Sequence, residues 1–386
     1  MRVTYASLFA GIEAFSVAAG RIRDVEWEPV FFSEIEPFPC AVLAHRFPGI
    51  PNLGDIRNIR VDAEKGTITN GNASIALPRH GIDILAGGSP CQDVSVAGQR
   101  RGMQEGSGTR SSLAFEYARL VDELRPRVLL WENVPGVLSS NHGLDFLAFL
   151  RALVERGYGV AWRVLDAQFT TTVDFPRAIP QRRKRVWLVG CAGGDERAAA
   201  QILFERAGLL GDSPPQREMG KGFAAVAGCV PARNAGLLAS FSGDDVMPTL
   251  GCSNGTPGFS GNEVFQQKGA YLVHVLDMTH ADEVMRKGDT GVAPTLQKRM
   301  GTGGNQVPLL HLAAGGARSI VRRITPTETE RLFGFPDGWT AIPWRGKPAE
   351  ECPDSPRYRA LGNSWATNCA EWTLRRIVAA LRLGIA

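Results

Sequence analysis

The alternation of short apolar runs with amphipathic stretches across the first half of the chain limits its fold more than any other feature. Residues 2–9 (RVTYASLF) read as a strand, and Gly11 opens a turn into an apolar helix. Residues 29–33 (PVFFS) read as a second strand ending at Glu34, and residues 82–86 (IDILA) as a third running into Gly87-Gly88. Residues 111–124 space Leu113, Tyr117, Leu120, Val121 and Leu124 along one helical face. Residues 127–131 (RVLLW) and 185–190 (RVWLVG) supply two more buried strands. This order predicts an α/β fold with a doubly wound, mostly parallel sheet. Ligands of such sheets gather at the carboxyl ends of the strands, so the residues just past each run are the ones that matter.

The texture changes after about residue 190. Eighteen of the 44 glycines fall within 211–316, which predicts a second, smaller domain rich in loops and short strands. Within it, Gly243–Leu250 resembles Gly288–Leu296, and each copy leads through Pro-Thr-Leu to a Gly-Thr pair (Gly255-Thr256 and Gly301-Thr302). Recurrence of order as well as composition predicts two copies of a strand–loop–strand unit. Residues 369–383 (CAEWTLRRIVAALRL) return to an amphipathic helical pattern. The expected division is 1–190 for the α/β domain, 191–354 for the smaller one, and 355–386 for a segment returning to the first.

Composition excludes several classes. At 44% hydrophobic and 21% charged, the 386 residues can build a core. No apolar run approaches the ~20 residues that span a bilayer, so no membrane association is expected. Arg2 and Ala18-Ala19-Gly20 imitate a signal peptide, but Glu13 interrupts the apolar stretch and argues against export. The seven cysteines are odd in number and form no Cys-x-x-Cys pair, so neither a disulfide framework nor a structural zinc site is supported. A reducing, cytoplasmic setting and a site without metal are expected. A net charge of +4 is too mild to identify a nucleic-acid binder; local clusters must do that.

Those clusters sit at the strand ends. Phe9-Ala10-Gly11-Ile12-Glu13-Ala14 closes the first strand, where a glycine lets backbone approach a ligand, though the three-glycine dinucleotide pattern is absent. Glu34 ends the second strand, as an acceptor for ribose hydroxyls would. A bare strand-end glutamate is more often simply solvated. Cys91 follows Pro90 on a Gly-rich turn at the same edge. A free cysteine is usually a small core residue, but this placement suits an exposed nucleophile. Residues 93–110 carry four glycines with Arg100, Arg101 and Arg110, the makings of a flexible basic lid. Glu132 follows the apolar run 128–131, where partial burial would suit a proton donor. Gln181, Arg183 and Arg185 alternate into the last strand and share a face.

Taken in order, these blocks resemble the DNA (cytosine-5)-methyltransferase family dependent on S-adenosylmethionine. The matching residues are Phe9–Phe15, Glu34, Gly54-Asp55-Ile56, Pro90-Cys91-Gln92, Glu132-Asn133-Val134 and Gln181-x-Arg183-x-Arg185. Arg323-Ile324-Thr325-Pro326-x-Glu328, Gly334-Phe335-Pro336 and Arg357-Tyr358-x-x-x-Gly362-Asn363-Ser364 complete the set. Glu13-Ala14 stands where the family commonly has Gly-Gly, Ser89 where Phe is frequent, and Trp365 where a small aliphatic residue is usual. The Cys-Phe-Thr of tRNA-methylating relatives is absent.

The resemblance implies that Cys91 attacks cytosine C6, with Glu132 acting at N3. Arg185 and Arg183 would hold the base O2 and an adjacent phosphate, and Asn133 would brace the Glu132 loop. It places S-adenosylmethionine, released as S-adenosylhomocysteine, among Phe9, Gly11, Glu34, Ile35, Asp55, Ile56, Pro90, Leu113, Asn363 and Trp365. The implied partner is double-stranded DNA, contacted by Gln92, Ser95, Arg100 and Gln181. In the second copy of the repeat, Lys298 and Arg299 add two charges that can meet phosphate or a guanine edge. A monomer is expected, and a cognate restriction enzyme is a partner such proteins can have.

Overall fold

The structure is a computed structural model. It describes residues 1–71, 73–89, 113–204, 237–239, 272–277, 286–287, 293, 295–296, 309–313 and 319–386. Two compact units divide the chain. The first comprises Met1–Asp166, Lys184–Ser213 and Cys369–Ala386; the second comprises Ala167–Arg183 and Pro214–Asn368.

The first unit opens with strand β1 (Arg2–Leu8), helix α1 (Ala14–Ala19), strand β2 (Glu26–Ser33) and helix α2 (Pro37–Arg46). A small antiparallel sheet follows, of β3 (Ile59–Asp62), β4 (Thr67–Asn70) and β5 (Ala73–Ala76). The main layer resumes with β6 (Ile84–Gly87), helix α3 (Leu113–Leu124), β7 (Val128–Asn133), helix α4 (Leu144–Val154), β8 (Tyr158–Asp166), β9 (Lys184–Ala192) and helix α5 (Glu196–Leu203).

Six strands form the central sheet in the order β2-β1-β6-β7-β9-β8. The pairs β1–β2, β1–β6 and β6–β7 are parallel, whereas β9 runs antiparallel to both of its neighbours. The expected mostly parallel, doubly wound sheet is therefore present, with one reversed strand. Every residue of β6 and β7 is buried, which explains their unbroken apolar reading: a central strand covered on both faces has no reason to alternate. Helix α3 turns Ala114, Tyr117, Ala118, Leu120, Val121 and Leu124 into the core, where they meet Leu85, Leu129, Trp131 and Phe149. The Tyr117 hydroxyl donates to the Leu85 carbonyl at 2.9 Å. Gly87 leaves room for that ring; a Cβ there would lie 3.0 Å from Tyr117 Cε2.

In the second unit, β10 (Leu237–Ala239), β11 (Leu272–Asp277), β12 (Arg286–Lys287), β13 (Leu309–Ala313) and β14 (Ser319–Arg323) form an antiparallel sheet in the order β10-β14-β13-β11-β12. Helix α6 (Pro326–Phe333) starts on a capping box between Thr325 and Glu328, with Pro326 at its first position. It ends at Gly334, whose φ of 77° suits the left-handed cap. Helix α7 (Asp354–Asn363) follows; helix α8 (Thr367–Arg382) closes the chain and belongs to the first unit from Cys369 onward.

These bounds differ from the expected 1–190, 191–354 and 355–386. Residues 167–183 leave the sheet and join the second unit, where Ala293 bridges to Gln181: its N–H donates to the Pro180 carbonyl and its carbonyl accepts the Arg182 N–H. Helix α7 also belongs there: its Arg357 bonds to Glu330 and Thr340. The boundary at 183/184 divides the motif Gln181-x-Arg183-x-Arg185 between the units. Of the repeat at 243–264 and 288–307, only Ala293, Thr295 and Leu296 are among the described residues.

Candidate active site

The carboxyl end of β1 passes into a turn with an unusual backbone. Phe9, Gly11 and Glu13 have φ of 55°, 56° and 63°, the left-handed region that only glycine enters without penalty. A Cβ built on Gly11 would meet no described atom within 4 Å, so the backbone is open at this position among the described residues. Glu34, just past β2, holds the turn from the side. Its Oε2 accepts the Gly11 N–H at 2.7 Å, and its Oε1 accepts those of Ile35 and Glu36, each at 2.8 Å. Burial raises the Glu34 carboxyl above the ordinary range, against those three amides, which lower it. Ile35 is 62% exposed, an apolar side chain offered beside a carboxylate. On the other flank, Asp55 caps a short turn in which Ile56 is buried, and both of its oxygens are engaged by Arg57. Phe9 and Leu113 are partly buried against the core cluster.

A second group gathers at the ends of β6, β7 and β9. Antiparallel register pairs Glu132 with Trp187 and Asn133 with Val186, which leaves Arg185 a diagonal step from Glu132. Glu132 is only 8% exposed, and its Oε1 lies 3.1 Å from Arg185 Nε as an ion pair. Asn133 donates from Nδ2 to the Ser89 carbonyl at 3.2 Å and to Ser89 Oγ at 3.3 Å. Its Oδ1 accepts the Val134 N–H at 2.8 Å, which fixes the amide orientation. Asn133 thus fastens the carboxyl end of β7 to the residue two positions before Cys91.

The remaining predicted residues are placed differently. Arg183, in the second unit, is 2% exposed. Its guanidinium donates to the carbonyls of Leu296, Gly362 and Ser364 and lies 4.8 Å from the Phe333 ring centroid. Gln181 is fully buried, so here it offers no amide to DNA. Asn363 is exposed at the end of α7, and Trp365 is half-buried just beyond. Pro90, Cys91, Gln92, Ser95, Arg100, Lys298 and Arg299 lie outside the described residues.

The C-5 cytosine-specific DNA methylase family matches residues 3–207, more than half of the chain. The chain belongs to that family. Its curated relatives include a protein named DNA N-6-adenine-methyltransferase from Escherichia phage P1, 29% identical over 98% of this chain and 61% of its own length. They also include the orphan methyltransferase M.Rho11sI of Bacillus phage rho11s, 34% identical over 48% of this chain and 32% of its own. The type II methyltransferase M.NlaIV of Neisseria lactamica is 33% identical over 49% of this chain and 41% of its own. The chain thus spans from a third to three fifths of the length of these relatives. Among solved structures, the Entamoeba histolytica methyltransferase EhMeth superposes with a TM-score of 0.60 at 14% identity, covering 99% of both chains. The S. pombe Dnmt2 methyltransferase superposes with a TM-score of 0.59 at 12% identity, covering 98% of this chain and 99% of its own. At these identities the likeness is one of fold.

The strand-end residues fit the cofactor that the methylase family implies. Exposed Ile35 offers an apolar face for adenine, Glu34 keeps part of its acceptor capacity beside it, and the open turn at Gly11 can receive a polar chain. Sequence reasoning missed two supports. Asn52 accepts the Glu34 N–H at 2.9 Å and the Gly54 N–H at 3.1 Å, and it donates to the Glu34 carbonyl. Ser89 stands out in the sequence only as a departure from the family pattern, yet it is what Asn133 holds. Neither support carries a sequence signal, because each acts through main-chain atoms of a distant residue.

Proposed function

We propose that this methylase-family chain is a DNA (cytosine-5)-methyltransferase with Cys91 as its nucleophile. The observation that carries this reading is the joining of the β6 and β7 ends by Asn133 and Ser89, with the Glu132–Arg185 pair beside them. This tie holds Ser89, two residues before Cys91 in sequence, at the strand ends that also bear a buried carboxylate and a guanidinium.

A cytosine ring is too electron-poor at C5 to take a methyl group unaided. The Cys91 thiolate adds to C6, and Arg185 and Glu132 hold O2 and N3 as charge moves onto the ring. S-adenosylmethionine, when bound among Phe9, Gly11, Glu34, Ile35, Asp55 and Ile56, supplies the methyl group that C5 accepts and becomes S-adenosylhomocysteine. Loss of the C5 proton to a base then expels Cys91 and restores the aromatic ring. The reaction face of a stacked base is closed to a side chain, so the target cytosine is flipped from the duplex. The second unit reads the DNA, and the protein works as a monomer in the cytoplasm where its DNA lies.

The phage relative's name favours one other reading, methylation of the adenine N6 amine. That amine can attack a methyl donor directly and needs no thiolate. DNA containing 5-fluorocytosine separates the two, because fluorine at C5 cannot leave and traps the thiolate. A stable adduct with the wild type, lost in Cys91→Ser, is the expected result. N6-methyladenine in the product, unaffected by Cys91→Ser, would overturn the cytosine reading.

A further inference from the structure

Glu13 is the residue in the first turn that the reaction leaves unexplained. It stands where the family commonly carries glycine, and it keeps the backbone such a glycine would adopt, with φ of 63°. A glutamate in that region is strained relative to glycine. Strain of this kind persists only where the side chain is held, and Glu13 is held firmly. It is 1% exposed. Its Oε1 accepts from Ser7 Oγ at 3.0 Å, from Ser16 Oγ at 2.9 Å and from the Ser16 N–H at 3.2 Å. Ser7 lies in β1 and Ser16 in α1, so one carboxyl oxygen joins the strand before the turn to the helix after it. The other oxygen, Oε2, is buried without a hydrogen-bond partner among the described residues.

We propose that Glu13 is a positioning residue for S-adenosylmethionine: it sets the Phe9–Ile12 turn that receives the cofactor, and cofactor binding releases its proton to solvent. The proposal rests on the cofactor reading of the turn. An ionised Glu13 leaves a buried charge with one bare oxygen, which costs free energy when the turn is empty. S-adenosylmethionine carries a net positive charge, and placing that charge against the turn repays the ionisation. Burial pushes the Glu13 carboxyl up more than the hydrogen bonds from Ser16 and Ser7 pull it down, which leaves it at about 7. The titratable group facing it is Tyr5 of β1, whose hydroxyl meets Ser16 Oγ at 2.5 Å and whose own ionisation is pushed far up by burial and by Glu13. Phe15 of α1 and Trp27 of β2 close around Tyr5 as uncharged rings.

Calorimetric titration of the full chain with S-adenosylmethionine, in two buffers of different ionisation heat, tests this. The wild type should release a fraction of a proton on binding near neutral pH. Its association constant should climb up to about tenfold between about pH 6 and about pH 8 and then level off. S-adenosylhomocysteine, which lacks the sulfonium charge, should release less. Glu13→Gln keeps the shape without the titrating proton, so its affinity should be flat with pH. Ser7→Ala removes one donor from the carboxylate and should move the wild-type midpoint to higher pH, a second check if Glu13→Gln does not fold. A wild-type profile without slope, or a Glu13→Gln profile that keeps it, overturns the proposal while leaving the cofactor reading intact. Absence of binding at every pH overturns both.

Discussion

Replacing Arg183 by methionine separates a structural guanidinium from a substrate-binding one. Methionine keeps the apolar stem and roughly the volume while removing every donor. In the structure those donors serve the carbonyls of Leu296, Gly362 and Ser364, on two stretches of the second unit, and the cation rests on Phe333. Each hydrogen bond from a charged donor contributes about 1.5–3 kcal/mol, and a desolvated cation–π contact about 2 kcal/mol. These terms are not additive, because the freed carbonyls share one site and relax together. A loss of roughly 3–5 kcal/mol is therefore expected, the size seen when a buried charge loses its setting. At ~2–4 °C per kcal/mol, that lowers the first unfolding transition by roughly 10 °C. Urea unfolding followed by tryptophan fluorescence measures it directly. Arg183→Lys, which keeps charge but not the planar fork, should fall between methionine and wild type. If Arg183→Met unfolds within about 1 kcal/mol of the wild type yet no longer methylates DNA, the guanidinium acts on substrate and the structural reasoning is refuted.

Three further outcomes can be checked. Gly87→Ala places a Cβ at 3.0 Å from the Tyr117 ring and 3.2 Å from the Leu8 carbonyl; it should cost about 1–3 kcal/mol of stability in urea. Glu13 titrates at about 7 when folded against 4.5 when unfolded, so the native state holds the extra proton between these values. Its contribution to stability is full below about pH 4.5 and is lost as pH rises to about 7, on the order of 3 kcal/mol in all; Glu13→Gln should flatten that stretch of the stability–pH curve. Lys298→Ala with Arg299→Ala should lower the salt slope of DNA binding by ~1–2 units if these side chains meet phosphates, and an unchanged slope would remove them from the interface.

Burial explains why so much of the site is legible in the sequence. Chemistry at the edge of a parallel sheet concentrates in the first residues after each strand. Periodicity locates the strands, and the candidates Phe9 and Glu34 follow the ends of β1 and β2, while Glu132 sits in the last two residues of β7. The strand β8 and the small sheet β3–β5 escape that reading. In β8, exposed Trp162 and Val164 alternate with buried Ala161 and Leu165 on an edge strand, so the residues facing outward are as apolar as those facing in. In β3–β5 the strands have four residues each, too few for a period to stand out.

Residue types and spacing by themselves determined the fold class, the family and the order of the chemical groups, because each is written in local pattern. Tertiary structure alone decided what the polar groups do once gathered. Arg183 and Arg185 alternate on one strand-like stretch and look equivalent in sequence, yet a unit boundary runs between them. Arg185 meets Glu132 across an antiparallel pair, while Arg183 is buried on carbonyls more than a hundred residues away. Asn133 and Asn52 were likewise settled only by contacts distant in sequence. A buried polar atom must find a partner, and which atom comes within about 3 Å of it depends on the packing of elements whose separation along the chain carries no information about their approach.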